Sequence, residues 1–144
     1  MMKRIVFNAP EDSEEITVRD LGQLRSKMID DFAQYWQDGS GEGDIQIFEN
    51  NQLQSTLMIE PSIELERIYL HFIDNLNGED WLSVYDRENL EETIETVEEV
   101  YASAGLFLPL ELAWKGIGEY VKTGRRTGQI DWITPKEMPE NGNW

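Results

Sequence analysis

The chain has 144 residues, of which 40% are apolar and 10% aromatic, enough for one domain with a real core. Its 29 acids against 12 bases give a net charge of −17, a field that repels polyanions and excludes nucleic-acid binding by phosphate neutralisation. With no cysteine and one histidine, His71, disulfides, thiolate chemistry and two-histidine zinc sites are excluded, leaving carboxylate chemistry or none.

Lys3–Asn8 is a short apolar run that predicts a strand, and the polar, proline-containing stretch Ala9–Ile16 predicts a loop. From Thr17 onward Leu21, Leu24, Met28, Phe32 and Tyr35 repeat every three or four residues and predict a helix. Thr17 is its N-cap, answered by Asp20 three positions on, and the glycine-rich Asp38–Gly43 ends it. Asp44–Glu49 and Gln54–Glu60 flank Asn50-Asn51, a pair tolerant of positive φ, and predict a hairpin. Glu64–Asp74 and Asp80–Asp86 flank Asn77-Gly78 and predict a second. In the longer of these strands Ile68, Leu70 and Phe72 share one face, and Arg67, Tyr69, His71 and Ile73 the other. Residues 91–101 admit a helix through their glutamates, but Thr93–Val97 is β-branched at all but one position, which favours a strand.

Pro109 suits a first helical position, and Leu110, Ala113, Trp114, Ile117, Tyr120 and Val121 form an apolar stripe that Gly124 closes. Gln129–Ile133 predicts the last strand, and Pro135, Pro139 and Asn141-Gly142-Asn143 predict a frayed tail. The predicted fold is therefore α+β: a mostly antiparallel sheet with two helices on one face, in the order β-α-β-β-β-β-β-α-β. It forms one domain over residues 1–134, followed by the tail 135–144. No apolar run approaches the length of a membrane span, and Met1–Asn8 holds too short an apolar stretch for a signal peptide, so a cytoplasmic protein is expected.

Gly39-x-Gly41-x-Gly43 follows a helix and precedes a strand, the reverse of a phosphate-binding loop, and reads as a connector. In Asp74–Asp80 the third and fifth positions are Leu76 and Gly78, which cannot ligate calcium as an EF-hand does. No cofactor, metal ligand or catalytic residue is predicted. Pairs such as Glu98-Glu99 read as a solvated face, and His71 as a structural side chain. Trp81, Trp114 and Trp132 are candidates for the core, whereas Trp36 and Trp144, near polar ends, suit exposed contacts.

The charge is concentrated: residues 28–99 carry 19 acids against only Arg67 and Arg87, which accounts for the whole excess. Within it, seven of the 14 positions from Asp86 to Glu99 are acidic and one is basic. So lopsided a block reads as an electrostatic lure for a basic partner, which would raise encounter rates and fix register. Asp86, Glu88, Glu91, Glu92, Glu95, Glu98 and Glu99 are the candidates for steering, with Trp81 and Tyr85 as aromatic anchors.

Pro109-x-x-x-Ala113-x-x-x-Ile117-x-x-Tyr120-x-x-Thr123-Gly124, followed by Gln129-Ile-Asp-Trp132, resembles the end of an immunity-protein family of bacterial polymorphic-toxin systems, one often found beside deaminase toxins. Arg125–Gly128 stands where that family usually has a proline. The resemblance implies a non-enzymatic inhibitor that binds the catalytic domain of a cognate, nucleic-acid-targeting toxin and blocks substrate entry. Two other readings remain open: a small carboxylate-dependent enzyme or metal-binding domain, and an acidic adaptor or nucleic-acid mimic.

Overall fold

Alternating apolar residues build an antiparallel sheet that runs from the edge strand Asp131–Ile133 through Glu79–Val84, Arg67–Asp74, Gln52–Ser62, Gly43–Glu49 and Lys3–Ala9 to the edge strand Asp12–Ile16, with the short Leu108–Pro109 pairing beside Arg67–Asp74. The computed structural model describes residues 2–9, 12–38, 42–96 and 100–144, and the side chains of Asp12 and Asp38 lie outside that description. The strands are β1 (Lys3–Ala9), β2 (Asp12–Ile16), β3 (Gly43–Glu49), β4 (Gln52–Ser62), β5 (Arg67–Asp74), β6 (Glu79–Val84), β7 (Thr93–Glu95), β8 (Tyr101–Ser103), β9 (Leu108–Pro109) and β10 (Asp131–Ile133). The helices are α1 (Leu21–Arg25), α2 (Phe32–Asp38) and α3 (Leu110–Thr123). The fold is α+β, as the sequence predicts.

Both predicted hairpins form. Asn50 and Asn51 both take positive φ, 51° and 67°, in the β3–β4 turn, and Gly78 does so at 72° between β5 and β6. The side-chain alternation of β5 holds as well. Ile68, Leu70 and Phe72 join Ile45, Ile47, Leu57 and Ile59 on the face that packs against α1, α2 and α3. On the other face, Tyr69, Leu82, Val84 and Ile133 form a second apolar cluster with Leu90, Ala102, Leu106, Phe107 and Met138. The β5–β6–β10 region thus separates two cores. Ser83, fully buried, stitches its layers where β5 leaves β6 for β9: its hydroxyl accepts from Leu70 N at 2.9 Å and donates to Leu106 O at 2.9 Å.

The first helical stretch begins as predicted. Thr17 and Asp20 form a reciprocal capping box, with Thr17 N donating to Asp20 Oδ2 at 2.7 Å. It is not one continuous α-helix, however, because a π turn over Ser26–Asp30 separates α1 from α2. The apolar spacing supplies a reason. Leu24, Met28, Phe32 and Trp36 recur every fourth residue, which in an unbroken α-helix would drift by roughly 120°. One extra residue absorbed in a π turn removes about 100° of that drift and brings all four side chains into the core. Trp36, expected at an exposed position, is accordingly only 3% exposed, and its indole N–H donates to Met28 O at 3.1 Å.

Other expectations are corrected. Residues 12–16, expected within a loop, form an edge strand whose Ile16 faces Ile5. With four polar or acidic residues before that one apolar position, the segment has no alternating pattern to reveal it, and such acids suit an edge that must not recruit another strand. The strand expected over 91–101 is two short strands, β7 and β8, which pair with each other in a separate ribbon. Val97, Glu98 and Glu99 lie outside the described residues, as do residues 39–41 of the predicted connector. The second hairpin is shorter than predicted, since Glu64–Glu66 precede β5 and Tyr85 and Asp86 follow β6.

The tail from residue 135 docks where fraying was expected. Thr134 and Glu137 form a capping box, Met138 is buried, and Ser103 N donates to Asn143 O at 2.8 Å. Its polar composition concealed backbone groups that complete the open edge of β8. Helix α3 starts directly after Pro109 and ends at Gly124, whose φ of 76° needs glycine. Gly116 lets α3 approach the sheet: a Cβ there would lie 2.7 Å from Leu70 Cδ1 and 2.8 Å from Ile130 Cδ1.

Candidate functional site

Two surfaces carry chemistry beyond packing. The first is the β7–β8 ribbon with the segment leading into it. Glu88, Glu91, Glu92 and Glu95 are all exposed there. No ion pair among the described residues engages Glu88, Glu91 or Glu92. Asp86 differs. It is half-buried and caps the turn Arg87–Asn89, its Oδ1 accepting from Glu88 N at 3.0 Å and its Oδ2 from Asn89 Nδ2 at 2.5 Å. Its role is therefore to shape the turn that presents the glutamates. Glu98 and Glu99 lie outside the described residues.

The two predicted anchors do not join this surface in the same way. Trp81 pairs across strands with Phe72 on the helix-covered face, opposite the cluster that supports the ribbon. The Arg126 guanidinium lies 4.1 Å above its ring and also within 5.8 Å of Trp132. Tyr85 is 52% exposed, with Arg67 stacked 5.1 Å from its ring. The aromatics that do accompany the acids are Tyr101, 50% exposed and paired with Glu95 across the ribbon, and Trp144, 47% exposed. Asn143 brings them together: its N donates to Ser103 Oγ at 2.9 Å and its Nδ2 to Tyr101 O at 2.6 Å. Trp144 was legible as an exposed contact, whereas Tyr101 was not singled out. A tyrosine beside Val100 at the end of a solvated acidic strand was the available signal.

The second surface is the polar part of the sheet face opposite the helices. The β3–β4 register puts Gly43 opposite Ile59, so the adjoining Glu42 and Glu60 meet. Glu60 is in turn opposite Tyr69 on β5. Burial first, and then the hydrogen bond and charge of Glu42, raise the Glu60 carboxyl to about 8, so it holds a proton at neutral pH. The Tyr69 side chain is fully buried, and its Oη has no hydrogen-bond partner among the described residues. Burial, followed by the charges of Glu60, Asp80 and Glu42, pushes its phenol up.

His71 stacks against Tyr69 with ring centroids 6.3 Å apart. Its Nε2 stands 3.4 Å from Asp80 Oδ2 without completing a hydrogen bond. Burial lowers the imidazole's pKa against the opposing pull of Asp80, which keeps the ring neutral. Sequence reasoning set His71 aside as structural and placed it on one face with Tyr69, but it did not identify Glu42, Glu60 or Asp80 as neighbours. Only the strand register reveals that grouping.

Among the described residues no group of three His, Asp or Glu side chains is placed to hold a metal ion. No helix among them is long and apolar enough to cross a membrane. No protein-family model matches the chain, and no curated protein matches its sequence.

Proposed function

We propose that this chain is an immunity protein, a non-enzymatic inhibitor that binds the basic catalytic domain of a nucleic-acid-targeting toxin and blocks its substrate groove. The observation that carries the reading is the β7–β8 ribbon, where exposed Glu91, Glu92 and Glu95 lie beside exposed Tyr101 and Trp144. Exposed carboxylates steer a basic protein toward the surface, while aromatic side chains supply the desolvated contact that gives most binding energy. The C-terminal resemblance around Pro109–Gly124 and Trp132 supports the same reading and suggests a deaminase as the toxin. The inhibitor would act in the cytoplasm, where its target would otherwise reach nucleic acid.

Co-expression with the toxin domain encoded beside it tests the reading. The intact chain should protect cells and form a salt-sensitive complex, and failure of both would refute it. A small carboxylate-dependent enzyme is the second reading, favoured by the protonated Glu60 beside Glu42. Turnover that survives purification and disappears in Glu60→Gln would establish it instead.

A further inference from the structure

The Glu60 surface has a property that the packing leaves unused. Among the described residues its buried floor holds two side-chain polar atoms without a hydrogen-bond partner, Tyr69 Oη and His71 Nε2, the latter 3.4 Å from Asp80 Oδ2. Its rim is accessible: Glu42 is exposed, and the Asp80 side chain is 38% exposed. A buried polar atom left unpaired is destabilising, and the Tyr69 oxygen, at the base of this acidic recess, can accept from a donor brought from outside.

We infer that this recess receives the ammonium group of a lysine side chain from the partner protein, with Glu60 and Tyr69 Oη as acceptors and Glu42 and Asp80 supplying negative charge at the mouth. The inference rests on the partner-binding reading and deepens it. Lysine fits better than the alternatives. A metal ion needs three or more ligands converging at short range, an arrangement absent among the described residues. Arginine needs acceptors aligned with a rigid planar fork. An ammonium carries three rotatable donors and no acceptor, which suits separated acceptors on neighbouring strands.

The groups facing the recess are Glu42 ahead of β3, Glu60 on β4, Tyr69 and His71 on β5 and Asp80 on β6; Arg67 shares this face of β5 but stacks over Tyr85, and the helices cover the opposite face. Without a ligand, the repulsion between Glu42 and Glu60 is relieved by a proton held on the pair. An entering ammonium supplies the positive charge in its place, and the proton leaves to solvent. One cation enters and one proton is released, so affinity should rise as pH rises toward 8, by up to about tenfold per unit.

The test is titration of the full-length protein with a glycine-lysine-glycine peptide blocked at both ends, with the norleucine analogue as control. His71 ring resonances report occupancy, and calorimetry in two buffers of different ionisation heat reports the proton. The lysine peptide should shift His71 saturably and release up to about one proton at neutral pH. Glu60→Gln should weaken binding at least about tenfold and abolish its pH dependence, and Tyr69→Phe should weaken it several-fold with the fold retained. His71 signals that do not move in the wild type, or that move equally in Glu60→Gln, would overturn the inference. A toxin complex whose affinity is unchanged in Glu60→Gln would also overturn it, while leaving the ribbon reading intact. Failure of the chain to bind any toxin would count against the ribbon reading, with the peptide titration still deciding the recess.

Discussion

Replacing Glu60 with glutamine isolates the most perturbed carboxyl among the described residues. In the folded state its pKa is about 8, against an ordinary value of 4.5. Between those two values the native protein keeps a proton that the unfolded chain releases, so stability falls as pH rises through the window and levels off above 8. At about 1.4 kcal/mol per unit the shift sets a ceiling of roughly 5 kcal/mol, and relaxation around a carboxyl that is not fully enclosed brings the expected loss to about 2–3 kcal/mol. Glutamine copies the neutral acid and cannot ionise, so the variant should match the wild type near pH 5 and exceed it by about 2–3 kcal/mol near pH 9.

His71 does not confuse the comparison. Its folded pKa lies below the ordinary 6.5, so its contribution has the opposite sign, growing with pH and complete once the unfolded imidazole is neutral. Urea melts of both proteins from about pH 5 to about pH 9 make the measurement. A wild-type-to-variant difference that stays constant across that range would show that Glu60 ionises normally and would remove the reasoning about its recess.

Three further outcomes are expected. Trp36→Ala should cost about 3–5 kcal/mol in denaturant melts, whereas Trp36→Phe should lose little beyond its bond to Met28 O; a small loss in both would contradict the π-turn explanation. Gly116→Ala should destabilise by about 1–3 kcal/mol although alanine favours helix, because the new Cβ presses on Leu70 and Ile130; a stabilised variant would mean that α3 can lift from the sheet. Reversing Glu91, Glu92 and Glu95 to Lys should slow association with the toxin domain about tenfold or more at low salt and flatten its salt dependence, while Tyr101→Ala with Trp144→Ala should chiefly speed dissociation. Rates unchanged in both sets would move the interface elsewhere.

Local chemistry made much of the fold legible. Asn50-Asn51, Asn77-Gly78, the Thr17–Asp20 box and Gly124 each impose a conformation on a few residues, and the structure places a turn or cap at all four. What sequence patterning missed depends on distant partners. β2 exists because β1 offers it an edge, and the tail is ordered because Ser103 and Tyr101 offer hydrogen bonds to Asn143. The acidic block was legible as composition, but Asp86 proved to be a cap, and Trp81 belongs to the opposite face. The Glu60 recess was hidden for a related reason. Glu42, Glu60, Tyr69 and Asp80 are scattered through the middle of the chain, and only a register shared by four neighbouring strands makes them neighbours.

The use made of the arginines bears on whether the acidic field is incidental. Arg4 lies over Phe48, Arg25 over Trp114, Arg67 over Tyr85, and Arg126 over Trp81, Phe72 and Trp132. A chain selected only for solubility would gain by scattering its bases among its acids, since interspersed charges relieve self-repulsion. Here four of the guanidiniums sit on aromatic faces instead, and of these only Arg25 also forms an ion pair among the described residues, with Asp30 and Glu111. Among the described residues Glu88, Glu91 and Glu92, on the segment leading into the ribbon, have no ion-pair partner. Under the proposed function, that allocation leaves the acidic field available to positive charge carried by another molecule. The same logic applies at Glu60, where the protein holds a proton in a place that a cation could occupy.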